Sequence, residues 1–335
     1  MAKCDIGIDL GTTNIKIFIK DKGVVIDEPS VVAVKKKTKE LVEIGKKAYD
    51  MIGKNPDSIL VKYPLTTGVI SDYYLNELMI KELLSRVIKK SVKKPRICIC
   101  VHSLITDVER RAVTEAALAS GCGKVFLIEE PMASGLGAGL DMSNAKGFLV
   151  VNMGGGTTDI AVLSLNGIVL SRSIKTGGQR IDEIIRKNIA SNHKLLIGRS
   201  SAEKAKIKMA IAKHPKKSLE YELKGRDLIT GLPRSVVINQ EDIYCQMKES
   251  IDEVINNIKN ILEETPPELV GDIYASGILL TGGGSLINQL PELITEKIGV
   301  KARLADDPKE CVVNGVGKSL DLLDDFSSIF LTATA

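Results

Sequence analysis

Two stretches of this chain repeat one pattern. Ile8-Asp9-Leu10-Gly11-Thr12-Thr13-Asn14-Ile15 is echoed by Val151-Asn152-Met153-Gly154-Gly155-Gly156-Thr157-Thr158-Asp159-Ile160. Each copy has an apolar strand, a polar residue at its end, a Gly/Thr turn and a second apolar strand. Such a repeat predicts two similar half-molecules, each offering a hairpin loop to one ligand. Glycine lets backbone approach a ligand closely, and successive amides in such turns form an anion-binding concavity. Thr12, Thr13, Thr157 and Thr158 add hydroxyl donors. A polyphosphate suits such loops. The copies differ at the strand end, where Asp9 stands against Asn152.

Composition narrows the class. A chain of 335 residues, 44% of them apolar, can form two domains or one large bilobed unit with substantial cores. No apolar run approaches the roughly 18 residues of a membrane span. The start, Met1-Ala2-Lys3-Cys4-Asp5, enters the first strand at once, so no secretory signal is expected. The six cysteines form no C-x-x-C pair, and Cys98 and Cys100 alternate along one strand face. With only three scattered histidines, a Cys/His metal site is not expected, and reduced thiols in the cytoplasm are. A net charge of +4, no tryptophan and 4% aromatics argue against nucleic acid as a partner. Basic residues do cluster at Lys35 to Lys37, Lys89 to Arg96 and Lys213 to Lys217, where solvated loops are the ordinary reading.

Strands and helices alternate along the chain, which gives an α/β class with helices packed on sheets. Asp5 to Val34 reads as three strands, followed by a polar, Lys-rich stretch to the Pro64 to Gly68 turn. Leu75, Leu78, Met79, Leu83, Val87 and Ile88 follow helical spacing. Thr106 and Glu109 form a capping box that opens an Ala-rich helix. A small-residue helix is expected from Met132 to about Leu140, and another helix from about Ile181 to Ser191. Ser218 to Val237 reads as short strands, before a long amphipathic helix that ends at Pro266-Pro267. No Pro/Gly/Ser tract divides the chain, so its halves should pack closely.

A third glycine turn, Gly282-Gly283-Gly284-Ser285, follows the apolar strand Ile278 to Leu280 and is expected to open a helix from about Leu286. Helix N-terminal amides favour an anion. One such turn is ordinarily just a turn; three in an α/β chain, two of them matching, point to nucleotide binding. Neither G-x-x-x-x-G-K-[ST] nor a G-x-G-x-x-G after the first strand is present, which excludes a P-loop and a dinucleotide fold. Asp9 would lie beside the phosphates and hold Mg²⁺ through water, its alternative being a turn-forming aspartate bonded to its own loop.

Four segments carry a resemblance: Asp9 to Asn14, Glu-Glu-Pro-Met-Ala-Ser at Glu129 to Ser134, Gly154 to Asp159, and Leu-Thr-Gly-Gly-Gly-Ser at Leu280 to Ser285. They resemble the actin/chaperone/sugar-kinase ATPase superfamily. Within it the chain is most similar to the MreB family of bacterial actin homologues, through Gly23 to Ala33, Met51 to Pro56, Pro64 to Ile70 and Thr106 to Val113. The match runs over nearly the whole chain. It implies an actin-like ATPase fold, with two lobes around a central nucleotide cleft and each lobe divided into a larger and a smaller subdomain. Lobe I would span 1–145, with 315–335 returning to it and a small subdomain at about 32–65; lobe II would span 146–314, with a small subdomain at about 181–243.

By motif position the resemblance implies that Gly11, Thr12, Thr13 and Asn14, with Gly154, Gly155 and Gly156, contact the phosphates of ATP. It places Asp9 and Asn152 beside them. Glu203 and Lys206 fall in the adenosine-binding helix, and Gly282, Gly283, Gly284 and Ser285 in the adenosine-side turn. Glu130 matches the glutamate that positions the attacking water, with Thr157 and Thr158 assisting. Read from the residues alone, Glu130 can orient a water or can simply charge a helix N-terminus, the role that suits Glu129. Glu203 and Lys206, three apart, would otherwise be a surface ion pair.

The resemblance further implies a slow, polymerisation-coupled ATPase using ATP and Mg²⁺, which forms head-to-tail protofilaments paired at the inner face of the cell membrane. Cell-shape machinery and related filament proteins would be partners. Asn152 stands where aspartate is usual; losing that charge should slow hydrolysis or weaken metal dependence. For the membrane, Lys89, Lys90, Lys93, Lys94 and Arg96 offer charge to anionic lipid, and Phe326, Ile329, Phe330 and Leu331 offer apolar area. A chaperone-type ATPase is the alternative, although no peptide-binding domain is expected after Leu331. A small-molecule kinase is another, although no substrate-pocket motif appears.

Overall fold

Two five-stranded sheets built on one plan form the frame. They are seen in a computed structural model that describes residues 5–88, 94–103, 105–217, 219–324 and 329–331. The first sheet runs in the order Lys124–Glu129, Arg96–Val101, Asp5–Leu10, Asn14–Ile19, Gly23–Pro29. Its first two pairings are parallel and its last two antiparallel. The second sheet, read from its other edge, runs Ala302–Leu304, Ile278–Thr281, Phe148–Met153, Thr158–Ser164, Gly167–Ile174. Its pairings follow the same succession, parallel, parallel, antiparallel, antiparallel. The repeat seen in the sequence is therefore a repeat of whole sheets. Asp9 pairs with Lys16 in one hairpin, and Asn152 with Asp159 at the equivalent place in the other.

The apolar alternation puts Ile6, Ile8, Ile15 and Ile17 in one core and Leu149, Val151, Ile160 and Val162 in another. A third core joins the lobes beneath the cleft, drawing Cys98, Cys100 and Ile128 from one sheet and Val150, Ala161 and Leu279 from the other. Its centre is a crossing of two short helices, Glu130–Gly137 and Cys311–Ser319. Added to Gly137, a Cβ would lie 1.7 Å from the Cys311 carbonyl oxygen; on Gly315 it would lie 1.7 Å from that of Ala133. The backbones touch, and only glycine fits. Lys318 then donates to the Leu136 carbonyl at 2.9 Å, closing the open end of the first helix.

The Thr106/Glu109 capping box forms as expected, with Thr106 Oγ1 accepting from the Glu109 amide at 3.2 Å and Glu109 returning to the Thr106 amide at 3.0 Å. The long helix is Gln240–Glu264, and it buries Ile243, Met247, Ile251, Val254, Ile255, Ile258 and Ile261. Several elements depart from the sequence expectation. The polar, Lys-rich stretch holds a three-stranded sheet, Leu41–Ile44, Val32–Lys35 and Ile59–Lys62, with a short helix at Lys46–Asp50. The double proline ends one helix but also starts another, Pro267–Ser276, because proline suits a first helical turn. The third glycine turn is a single 3₁₀ turn, Gly283–Leu286, and the α-helix starts only at Leu290. It therefore offers no helix N-terminus to an anion, contrary to expectation.

Gly315→Ala should cost at least about 3 kcal/mol, at or beyond the upper end of ordinary overpacking, because the obstruction is backbone that cannot rotate away. Urea unfolding of the variant against the parent measures it; a midpoint unchanged from the parent would contradict the crossing.

Candidate functional site

The ends of the two matched hairpins meet face to face. A Cβ added to Gly155 would lie 2.3 Å from Thr13 Cγ2, and one on Gly156 would lie 2.6 Å from Thr12 Oγ1. Gly156 also approaches the Gly68 amide, where a Cβ would be 2.4 Å away. Gly68 has φ +77° and tops the tight hairpin of Leu65–Thr66 and Val69–Ile70. Three loops from both lobes thus converge. The first is braced from behind: Ser30 donates to the Gly11 carbonyl at 2.6 Å, and its amide donates to the Thr13 carbonyl at 2.8 Å. Asn14 sits at the exposed edge, its amide nitrogen on Asp27 at 2.8 Å.

The second loop is held by the helix that follows it. The amides of Gly178 and Gln179 donate to the Gly154 and Gly155 carbonyls at 3.1 and 2.8 Å. Those orphan amides of the Gly178–His193 helix therefore fix the loop. Thr158 is fully buried and donates to the Thr176 carbonyl at 2.5 Å. Its hydroxyl anchors the loop. Thr157 donates to Asp159 Oδ2 at 2.9 Å.

Glu130, the first residue of its helix, meets Asn152 across the cleft: Asn152 Nδ2 donates to Glu130 Oε2 at 2.8 Å. Asn152 Oδ1 in turn accepts from Thr281 at 3.1 Å. Burial pushes the Glu130 carboxyl well above its usual range; Asp159 and Asp9 add to this, and the Asn152 bond counteracts it. Asp9 is pushed up to about 7, first by burial, with Lys16 opposing and Glu310 and Asp27 reinforcing. Asp159 is raised by burial too, against hydrogen bonds from Ser173 and Thr157. Lys16, nearly buried, pairs with Glu310 and lies 3.4 Å from Asp27. Three carboxyls thus share a cleft floor with one lysine beside them. That surplus of negative charge suits a cation, although no three His, Cys, Asp or Glu side chains among the described residues converge as direct metal ligands.

Glu203 and Lys206 do not pair with each other. Glu203 accepts from Tyr49 at 2.9 Å, a bond from lobe to lobe across the cleft mouth. Lys206 binds Asp182 at 2.8 Å and the Gly178 carbonyl at 3.0 Å. In the third turn, Gly282 has φ +79° and stands where a Cβ would be 2.4 Å from the Met153 carbonyl oxygen. Gly284 packs on Met153, while Gly283 is the open one, facing Lys309. The Ser285 hydroxyl is buried on the Gly282 carbonyl at 2.7 Å.

The model of the MreB/Mbl protein family matches residues 3–328. The chain belongs to the MreB/Mbl family. It is 42% identical over 321 residues to the cell shape-determining protein Mbl of Bacillus subtilis, covering 96% of each chain. To the cell shape-determining protein MreB of Escherichia coli it is 40% identical over 326 residues, covering 96% of this chain and 94% of that one. A crystal structure of MreB5 of Spiroplasma citri bound to ADP superposes with a TM-score of 0.91 at 34% identity, over 96% of this chain and 97% of that one. A second MreB5 structure is bound to AMPPNP. MamK in a double helical filament, at 20% identity and TM-score 0.82, shares the fold. The architecture of this MreB/Mbl chain is thus the actin-like ATPase fold, two lobes about a cleft.

Lys16, Asp159, Tyr49, Gly68 and Thr281 belong to the cleft and carry no role in the sequence reading, although Asp159, Gly68 and Thr281 lie in segments that carry the resemblance. Only the register Asp9–Lys16 and Asn152–Asp159, readable from the two repeats, could have drawn attention to the first two. The expected lipid-facing elements fare differently. Lys89, Lys90, Lys93 and Phe326 lie outside the described residues. Arg96 is clasped by Asp5 and by Asp324, both with bonds under 3 Å, and is not free for lipid. Ile329 is buried, Phe330 packs on Phe126 with ring centres 5.5 Å apart, and Leu331 bonds to the Leu127 backbone. The apolar tail is used by the protein itself. Lys94 remains exposed. Among the described residues no helix is long and apolar enough to cross a membrane.

A carboxyl whose folded pKa lies above its unfolded value favours folding only while protonated. For Asp9 this contribution is full below the ordinary 3.8 and is lost as pH rises to about 7. Asp9→Asn should therefore stabilise the nucleotide-free protein by about 1–3 kcal/mol near neutral pH and by almost nothing in acid. Denaturation at several pH values measures it, and a difference independent of pH would contradict the buried charge.

Proposed function

We propose that this chain is a cell-shape filament protein of the MreB type that binds ATP between its lobes and hydrolyses it slowly. The observation that carries the reading is the meeting of Thr12 and Thr13 with Gly155 and Gly156 across the cleft. Two matched amide loops facing each other suit a polyphosphate clamped from both sides. The curated relatives named for cell shape and the MreB5 structures holding ADP and AMPPNP support it. We divide the chain into lobe I, 1–145 with 315–335, and lobe II, 146–314, with small subdomains at about 32–65 and 181–243.

In this reading Gly11 to Asn14 and Gly154 to Gly156 hold the phosphates, while Glu203, Lys206 and the Gly282 to Ser285 turn border the adenosine. Ser285 contributes through the shape of its turn. Mg²⁺ fits the surplus of carboxylates, with Asp9 holding it through water; when bound it neutralises phosphate charge. Glu130 is the group that orients the attacking water, and its raised pKa and dry surroundings suit a proton acceptor. Thr157, tied to Asp159, would assist it. Assembly would be head to tail and paired, at the inner face of the membrane, with lysines around Lys94 drawn to anionic lipid and with related filament and cell-shape proteins as further partners.

Pelleting with Mg²⁺–ATP, read by electron microscopy, separates this from a chaperone-type or small-molecule-kinase ATPase. Filaments are expected, and anionic vesicles should bring down more protein than neutral ones at low salt. A dispersed monomer at micromolar concentration contradicts the filament, and equal pelleting with both vesicles contradicts the lipid contact.

Asn152 offers hydrated Mg²⁺ no charge, which makes hydrolysis slow. Asn152→Asp should raise turnover several-fold at saturating Mg²⁺, where the cation screens the new carboxylate from Glu130. No rise at any Mg²⁺ concentration would count against this role.

A further inference from the structure

Thr281 is a buried residue at the end of the Ile278–Thr281 strand, paired in register with Asn152 on the neighbouring strand. Strand neighbours point their side chains to the same face. Its hydroxyl donates to Asn152 Oδ1 at 3.1 Å, and Asn152 Nδ2 donates to Glu130 Oε2 at 2.8 Å. We propose that Thr281 is a positioning residue for hydrolysis, acting through Asn152 to hold the Glu130 carboxylate from the opposite lobe.

The chemistry of the three groups fixes the order of the chain. To act on a water Glu130 must be ionised, and an ionised carboxylate only accepts hydrogen bonds, so in that state the amide turns its NH₂ toward Glu130. That leaves the amide oxygen facing Thr281, where a hydroxyl can donate to it. Asn152 is 2% exposed and Thr281 0%, so water does not readily replace either partner. Without the hydroxyl, the amide oxygen is left with no donor and the amide is free to turn about its last torsion. Its oxygen would then face a carboxylate, and Glu130 would swing away.

The hold also crosses from lobe II to lobe I. Glu130 opens the helix that touches Gly315, while Asn152 and Thr281 belong to the other sheet. The restraint on Glu130 therefore spans both sides of the cleft. An aspartate at 152 could hold Glu130 only with a proton or a hydrated cation between them, the condition under which Asn152→Asp is expected to gain turnover, whereas the amide holds Glu130 directly.

This inference rests on the ATPase reading above, and the test separates the two. Thr281→Val keeps the shape and removes the donor; Thr281→Ser restores it. Thr281→Val should lower kcat about tenfold, the scale expected when a catalytic group is misplaced by a fraction of an ångström. KM and the affinity for AMPPNP should stay within about twofold, as expected when the lost interaction acts on the chemical step. Thr281→Ser should recover most of the rate, and on a Glu130→Gln background Thr281→Val should change nothing further. Wild-type turnover in Thr281→Val, or an equal loss on both backgrounds, would overturn the inference. If the wild-type chain hydrolyses no ATP, the ATPase reading fails by itself. Melting temperatures of Asn152→Ala, Thr281→Val and the double variant then decide the hydrogen-bond chain: a double loss smaller than the sum supports it, and additive losses overturn it.

Discussion

Everything at the cleft depends on a helix crossing with no side chains in it. Gly137 and Gly315 let the Glu130–Gly137 and Cys311–Ser319 helices touch backbone to backbone. This approach sets how close the two sheets come, and hence whether Thr12 and Thr13 reach Gly155 and Gly156. The crossing carries the chemistry as well. One helix begins with Glu130, and the other follows directly on Glu310, which pairs with Lys16 beside Asp9. A close contact of backbone on backbone thus places the charged side chains.

The charged groups pull against the fold that holds them. Asp9, Glu130 and Asp159 are desolvated, and Lys16 is the cation that opposes the charge of Asp9. Burying acids at a lobe boundary costs stability in the empty protein and favours whatever brings positive charge there. The polar bonds across the boundary, Asn152 to Glu130 on the floor and Tyr49 to Glu203 at the mouth, partly offset that cost. The same few side chains thus carry the buried charge and tie the two sides of the cleft together.

Much of this was legible in the sequence, for identifiable reasons. The hairpin repeat could be read because strand period and glycine turns are local signals, and the Thr106/Glu109 box because a cap needs only four residues. The small sheet in the Lys-rich stretch gives little local signal: beyond Val34 its strands, Leu41–Ile44 and Ile59–Lys62, are short and sit among exposed charged residues. The 3₁₀ turn at Gly283–Leu286 was taken for a helix start, because apolar spacing alone does not separate one turn from several. In the cleft, glycines and Glu130 could be found by motif. Thr281 lies inside a motif that assigns it no role and Tyr49 lies in none, since their importance lies in partners 129 and 154 residues away in sequence. The tail residues Ile329 and Phe330 carry no local sign of burial, because what covers them, Phe126 and the interlobe core, is distant in sequence.

The central claim is that two matched loops, one from each lobe, grip one polyphosphate. Hydrogen exchange at the backbone amides of Gly11 to Asn14 and Gly154 to Thr157, with and without Mg²⁺–ATP, tests it most directly. Both loops are expected to slow together over one nucleotide titration, with a common midpoint. Protection of one loop alone, or two separate midpoints, would contradict it.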